Sequence, residues 1–151
     1  MNRKLILIHR YSEAIGILYS ENIFNFNSLQ TIEDLQATIP PHRFSSIRSL
    51  HLDTIITSPT SPMYAKTGFN KWEMALVVIG MIRGLQAFHI RLSMAALPHA
   101  TDETLIEALK CLMPFRTPTF IVCFCWHVNK DQLVGNLGGT VLFQIVEQAS
   151  D

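Results

Sequence analysis

The sequence predicts an α/β domain: alternating helix–strand units forming a short, mainly parallel sheet of four to five strands with helices packed on it. Two observations lead there. Helical and extended signals alternate four times along the 151 residues, and connections that contain a helix favour parallel neighbours joined by right-handed crossovers. The expected strand starts, near residues 22, 47, 86 and 119, are separated by 25, 39 and 33 positions, close to the unit size of solenoid repeats. An irregular leucine-rich-repeat-like stack is therefore the expected variant.

Ala14, Ile15, Leu18 and Tyr19 recur at helical spacing and place the first helix at about Arg10–Ser20. Leu5-Ile6-Leu7-Ile8 either extends it or forms an edge strand. Asn22–Phe26 alternates and reads as a short strand. Thr31 caps a second helix, whose first turn holds Glu33 and Asp34 and which stops at Pro40-Pro41. Ile47–Asp53 is the second strand. A loop with Pro59, Pro62 and Gly68 is expected over about residues 57–69. Asn70 then caps a helix through Arg83 that is apolar nearly all round, with Gly84 at its C′ position. Leu85–Ser93 is the third strand, with Phe88, Ile90 and Leu92 on one face and Ala87, His89 and Arg91 on the other. Thr101 caps a fourth helix, buried through Leu105, Leu109 and Leu112. Thr119–Trp126, the fourth strand, is apolar on both faces and is expected to be covered on both. Residues 130–151 read as a C-terminal extension, in which Thr140–Val146 fits a strand or a short helix equally.

One domain is expected, since domains commonly run ~100–150 residues. Apolar residues make up 48% and charged residues 16%, which excludes intrinsic disorder. Twelve basic residues balance twelve acidic ones, so no excess charge is present for a nucleic-acid partner. The longest apolar run, Met74–Ile82, is nine residues, against ~20 for a membrane span. Three cysteines clustered between Cys111 and Cys125 do not make a disulfide scaffold, and an intracellular location, cytoplasmic or nuclear, follows as the expectation.

Arg10-Tyr11-Ser12-Glu13-Ala14-Ile15, Leu18-Tyr19-Ser20, Asn22–Phe26, Ile39–Leu50 and Trp72 with Met81–Leu85 together resemble an uncharacterised fungal domain family often described as F-box-like. The likeness spans roughly residues 10–126. It implies an α/β domain, sometimes likened to a short leucine-rich-repeat array, with no assigned activity and no catalytic residues. The family usually has a cysteine-arginine pair and more helix before the tyrosine; His9-Arg10 stands there, so a truncated member is expected.

Cys123, Cys125 and His127, at i, i+2 and i+4, share one face if the strand continues, and soft thiolates with an imidazole suit zinc or copper. The plainer reading makes both cysteines small buried hydrophobes. Gly135–Thr140 resembles a phosphate loop only in its glycines, and a turn suffices. His51 and Asp53 share a strand face as half of an acid–base pair, with no nucleophile identifiable beside them. Trp72, Met74 and Met81 belong either to a buried helix or to a partner face. The resulting expectation is a non-enzymatic protein-interaction domain without a cofactor, the alternative being a metal-binding protein that uses the Cys-x-Cys-x-His strand. Apolar residues left uncovered near the N-terminus are expected to promote self-association.

Overall fold

The computed structural model describes residues 3–56, 62–94 and 102–148. Helix α1 (Arg3–Glu21) leads into β1 (Ile23–Phe26), then α2 (Leu29–Thr38), the one-turn α3 (Pro41–Phe44) and β2 (Ser49–Ile56). Helix α4 (Pro62–Gly80), β3 (Ala87–Met94), α5 (Asp102–Lys110) and β4 (Thr119–Phe124) follow. Helix α6 (Lys130–Asn136) and β5 (Gln144–Glu147) complete the series.

The five strands lie in the order β1-β2-β3-β4-β5, and every neighbouring pair is parallel. Sequential neighbours joined by crossovers of one hand put every connecting helix on the same side of the sheet. Burial follows that rule. Leu50, Leu52, Phe88, Ile90, Leu92, Phe120, Val122 and Phe124 face Ile32 of α2, Ile79 of α4, Leu109 of α5 and Leu133 of α6 in one core. Each fully buried aliphatic or aromatic side chain contributes about 1.5–3 kcal/mol relative to exposure. Phe88 and Phe120, register partners across β3 and β4, stack with centroids 5.1 Å apart, and Phe143 closes on Phe120 at 5.4 Å.

Leu5–Ile8 take the first of their two expected forms and continue α1. Several other expectations are corrected. Ser28, not Thr31, caps α2: its hydroxyl accepts from the Gln30 N–H at 3.2 Å. The loop expected over 57–69 is helix from Pro62 onward, and Asn70 lies inside α4 rather than capping it. A proline at the first helical position gives up no intrahelical bond. Gly68 costs about 1 kcal/mol within a helix, which burial of Trp72, Ala75, Leu76 and Ile79 outweighs. Residues 57–61 and the cap assigned to Thr101 fall outside the described residues. Helix α4 ends at Gly80, so Gly84 is not its C′ residue; Gly84 packs against the Arg48 guanidinium. Residues 130–148 are no appendage, since α6 and β5 add the fifth strand.

Among the described residues, strand β4 is covered on one face only. Ile121 and Cys123 keep intermediate exposure on the bare side, flanked by their register partners His89 and Arg91 in β3. Long polar neighbours do there what a second helical layer was expected to do. No helix among the described residues is long and apolar enough to cross a membrane.

Candidate functional site

The bare face of the sheet gathers the polar residues that alternate with the core. Parallel register aligns Asn25, His51, His89, Ile121 and Gln144 in one row. Asp53, Arg91, Cys123 and Val146 form the next. Between them lies a depression of about 550 Å³, lined by Asn25, Asn27, His51, Asp53, His89, Arg91, Ile121 and Cys123 among others.

The His51 and His89 rings stack with centroids 4.4 Å apart. Burial, and then the neighbouring imidazole, lower the His51 pKa from its usual value, so the His51 ring is held toward its neutral form. Arg91 reaches two partners. It pairs with Asp53 at 3.6 Å, both side chains being about half exposed, and its Nε donates to Cys125 Sγ at 3.1 Å. Ser93 Oγ lies 3.5 Å from the same sulfur.

His51 and Asp53 do share a face, but their partners are His89 and Arg91, so they form no acid–base pair with each other. Cys123 and Cys125 lie beside Arg91, while His127 turns to Glu147, with Nδ1 and Oε2 3.2 Å apart. The i, i+2, i+4 rule fails at His127 because the strand ends at Phe124. Among the described residues no group of three or more histidine, cysteine or acidic side chains is placed to hold a metal. Burial, followed by Cys125, pushes the Cys123 thiol up, which makes the thiolate a metal needs costlier to form.

Gly135 and Asn136 close α6, and Gly138 and Gly139 adopt φ of 94° and 84° just beyond it. The Gly139 N–H returns to the Val134 carbonyl at 2.9 Å. These glycines therefore end a helix and lead to a strand, the reverse of a phosphate loop's order. Trp72 is buried, its indole N–H donating to the Ala108 carbonyl at 3.1 Å, whereas Met74 and Val77 on α4 and Met81 just past its end are exposed. That helix is thus part core and part surface.

Sequence reasoning did not assemble the row from Asn25 to His89. The available signal was the matched alternation of Ser49-x-His51-x-Asp53 with Ala87-x-His89-x-Arg91, which shared register turns into one polar face.

One protein family, a domain of unknown function (DUF7730), matches residues 4–127. That range takes in the sheet through β4, leaving α6 and β5 beyond it. No curated protein and no solved structure matches the chain.

Proposed function

Because the chain belongs to the DUF7730 family, whose description names no activity, we propose from its geometry that it is a non-enzymatic protein-interaction domain. Its bare sheet face is the recognition surface. The observation that carries this reading is the face that the described residues leave uncovered: all-parallel sheets are almost always covered on both sides. Here one side holds imidazoles, an Arg91–Asp53 pair, the Asn25 amide and two apolar residues, Ile121 and Val146. The backbone groups of β2, β3 and β4 are used in the ladder on both sides, so recognition on the face runs through these side chains.

Size sets the kind of partner. Five strands at ~4.8 Å and up to eight residues at ~3.3 Å make a face of about 20 by 25 Å. That area is below the ~800 Å² per partner of a standard interface. A stable protein partner must therefore also reach the loops around the sheet. The resemblance to fungal F-box-like proteins supports a protein-interaction role, with the sheet acting as a short leucine-rich-repeat-like array. Three free cysteines support an intracellular setting.

The test is quantitative affinity capture from cells that express the chain, comparing wild type with Ile121→Arg on the bare face and Lys110→Glu on α5. The reading expects one set of proteins lost with Ile121→Arg and kept with Lys110→Glu. Equal retention by all three would remove the sheet face from the account.

A further inference from the structure

On the helical side, a groove of about 500 Å³ opens between the C-terminal half of α4 and the connector from α5 to β4. This lies within the ~300–1,000 Å³ typical of small-molecule sites. Leu76, Val77, Ile82, Leu85 and Phe115 supply apolar walls.

Charge is unevenly placed around it. Glu73 lies at one end of the α4 wall; Arg83 and Arg116 lie in the connectors that enter β3 and β4. Arg116 is held by Nη1 alone, which donates to the carbonyls of Met113 and Phe115. Its Nε–Nη2 edge has no protein partner among the described residues. That edge matches a carboxylate through two parallel hydrogen bonds. Arg83 also has no hydrogen bond or ion pair among the described residues. An apolar trough that carries two arginines without an ion pair among the described residues complements an aliphatic chain with an anionic head.

The geometry points to a fatty-acid site: an aliphatic chain lies along Leu76, Val77, Ile82 and Phe115, and Arg116 and Arg83 grip its carboxylate. This site is separate from the sheet face and stands whether or not that face binds a protein. A flexible chain follows an open groove at little cost, and each buried CH₂ tightens binding about fourfold.

Isothermal titration of the full chain with octanoate and decanoate, below micellar concentrations, tests it, with octanol as the uncharged comparator. Expected are one saturable site, decanoate binding about fifteenfold tighter than octanoate, and octanoate at least tenfold tighter than octanol. Arg116→Gln should weaken octanoate at least fivefold and leave octanol unchanged. A Cβ at Gly80, which lines the groove, meets nothing within 4 Å, so Gly80→Phe fills the groove without a core clash. Val77→Glu, at an exposed position of the same wall, blocks it by charge. Circular dichroism establishes which variants remain folded. Absence of decanoate binding, equal affinity for octanol and octanoate, or wild-type binding by a folded blocking variant would overturn the proposal.

Discussion

The imidazole of His51 lies flat on that of His89, with ring centroids 4.4 Å apart and planes within 12° of parallel. The stack follows from the fold, because the parallel register of β2 and β3 makes the two residues direct partners. Two neutral rings tolerate this contact; two imidazolium ions repel.

A pH dependence follows, with its sign fixed by the His51 shift. Burial, then His89, lower the His51 pKa below 6.5, so below that value the unfolded chain holds its proton more readily than the folded one. The contribution is complete above about pH 6.5 and is lost as pH falls through the window beneath it. Thermal denaturation should show Tm falling from pH 7 to pH 5, and His51→Gln should flatten that fall. Identical pH profiles for the two proteins would contradict the assignment.

Strand β4, an interior strand of the sheet, gives a stability contrast. Phe124 is fully buried, and Phe124→Ala should cost on the order of 3–5 kcal/mol. Lys130 is exposed at the start of α6, and Lys130→Ala should cost under about 0.5 kcal/mol. Urea denaturation measures both. Equal small effects would mean that β4 does not pack into the core.

Gly84 and Arg48 make a coupled pair. A Cβ on Gly84 would collide with Arg48 Nη1, which donates to the Ser45 carbonyl at 3.2 Å. Gly84→Ala should displace the guanidinium and cost about 1 kcal/mol, the worth of that hydrogen bond. In an Arg48→Ala background the same change should be nearly neutral, a coupling of about 1 kcal/mol in a double-mutant cycle. Additive losses would show that the two side chains do not meet.

The helix–strand succession and the core stripe were legible in the sequence, because alternation in Leu50–Leu52 and Phe88–Leu92 reports directly which residues turn inward. The helix start at Pro62 was not. Proline and glycine punctuation argued for a loop, while the burial that holds α4 together comes from Trp72, Leu76 and Ile79 further along. The bare face was half legible. Each strand's polar side could be read, but their alignment is a product of register, and register is a tertiary property. The groove depends on connectors meeting across the core, which no local pattern encodes.

Self-association is expected at the N-terminal end. Tyr11, Ile17 and Leu18 on α1 and Ile23 on β1 are exposed, and the chain's formal net charge is zero at pH 7. Light scattering over a dilution series should show mass rising with concentration, and Ile17→Lys with Leu18→Lys should abolish the rise. A monodisperse monomer at high concentration would show that these residues are too scattered to act as a patch.

Site-specific photo-crosslinking tests the binding face most directly. A photoreactive phenylalanine analogue replaces Ile121 at the middle of the bare face or Lys110 on α5, and each protein is irradiated in extract of cells that express the chain. A discrete adduct should form from position 121 alone and disappear when Arg91→Glu is introduced into the same chain. Adducts of equal yield from both positions, or an adduct at 121 indifferent to Arg91→Glu, would contradict recognition through the open sheet.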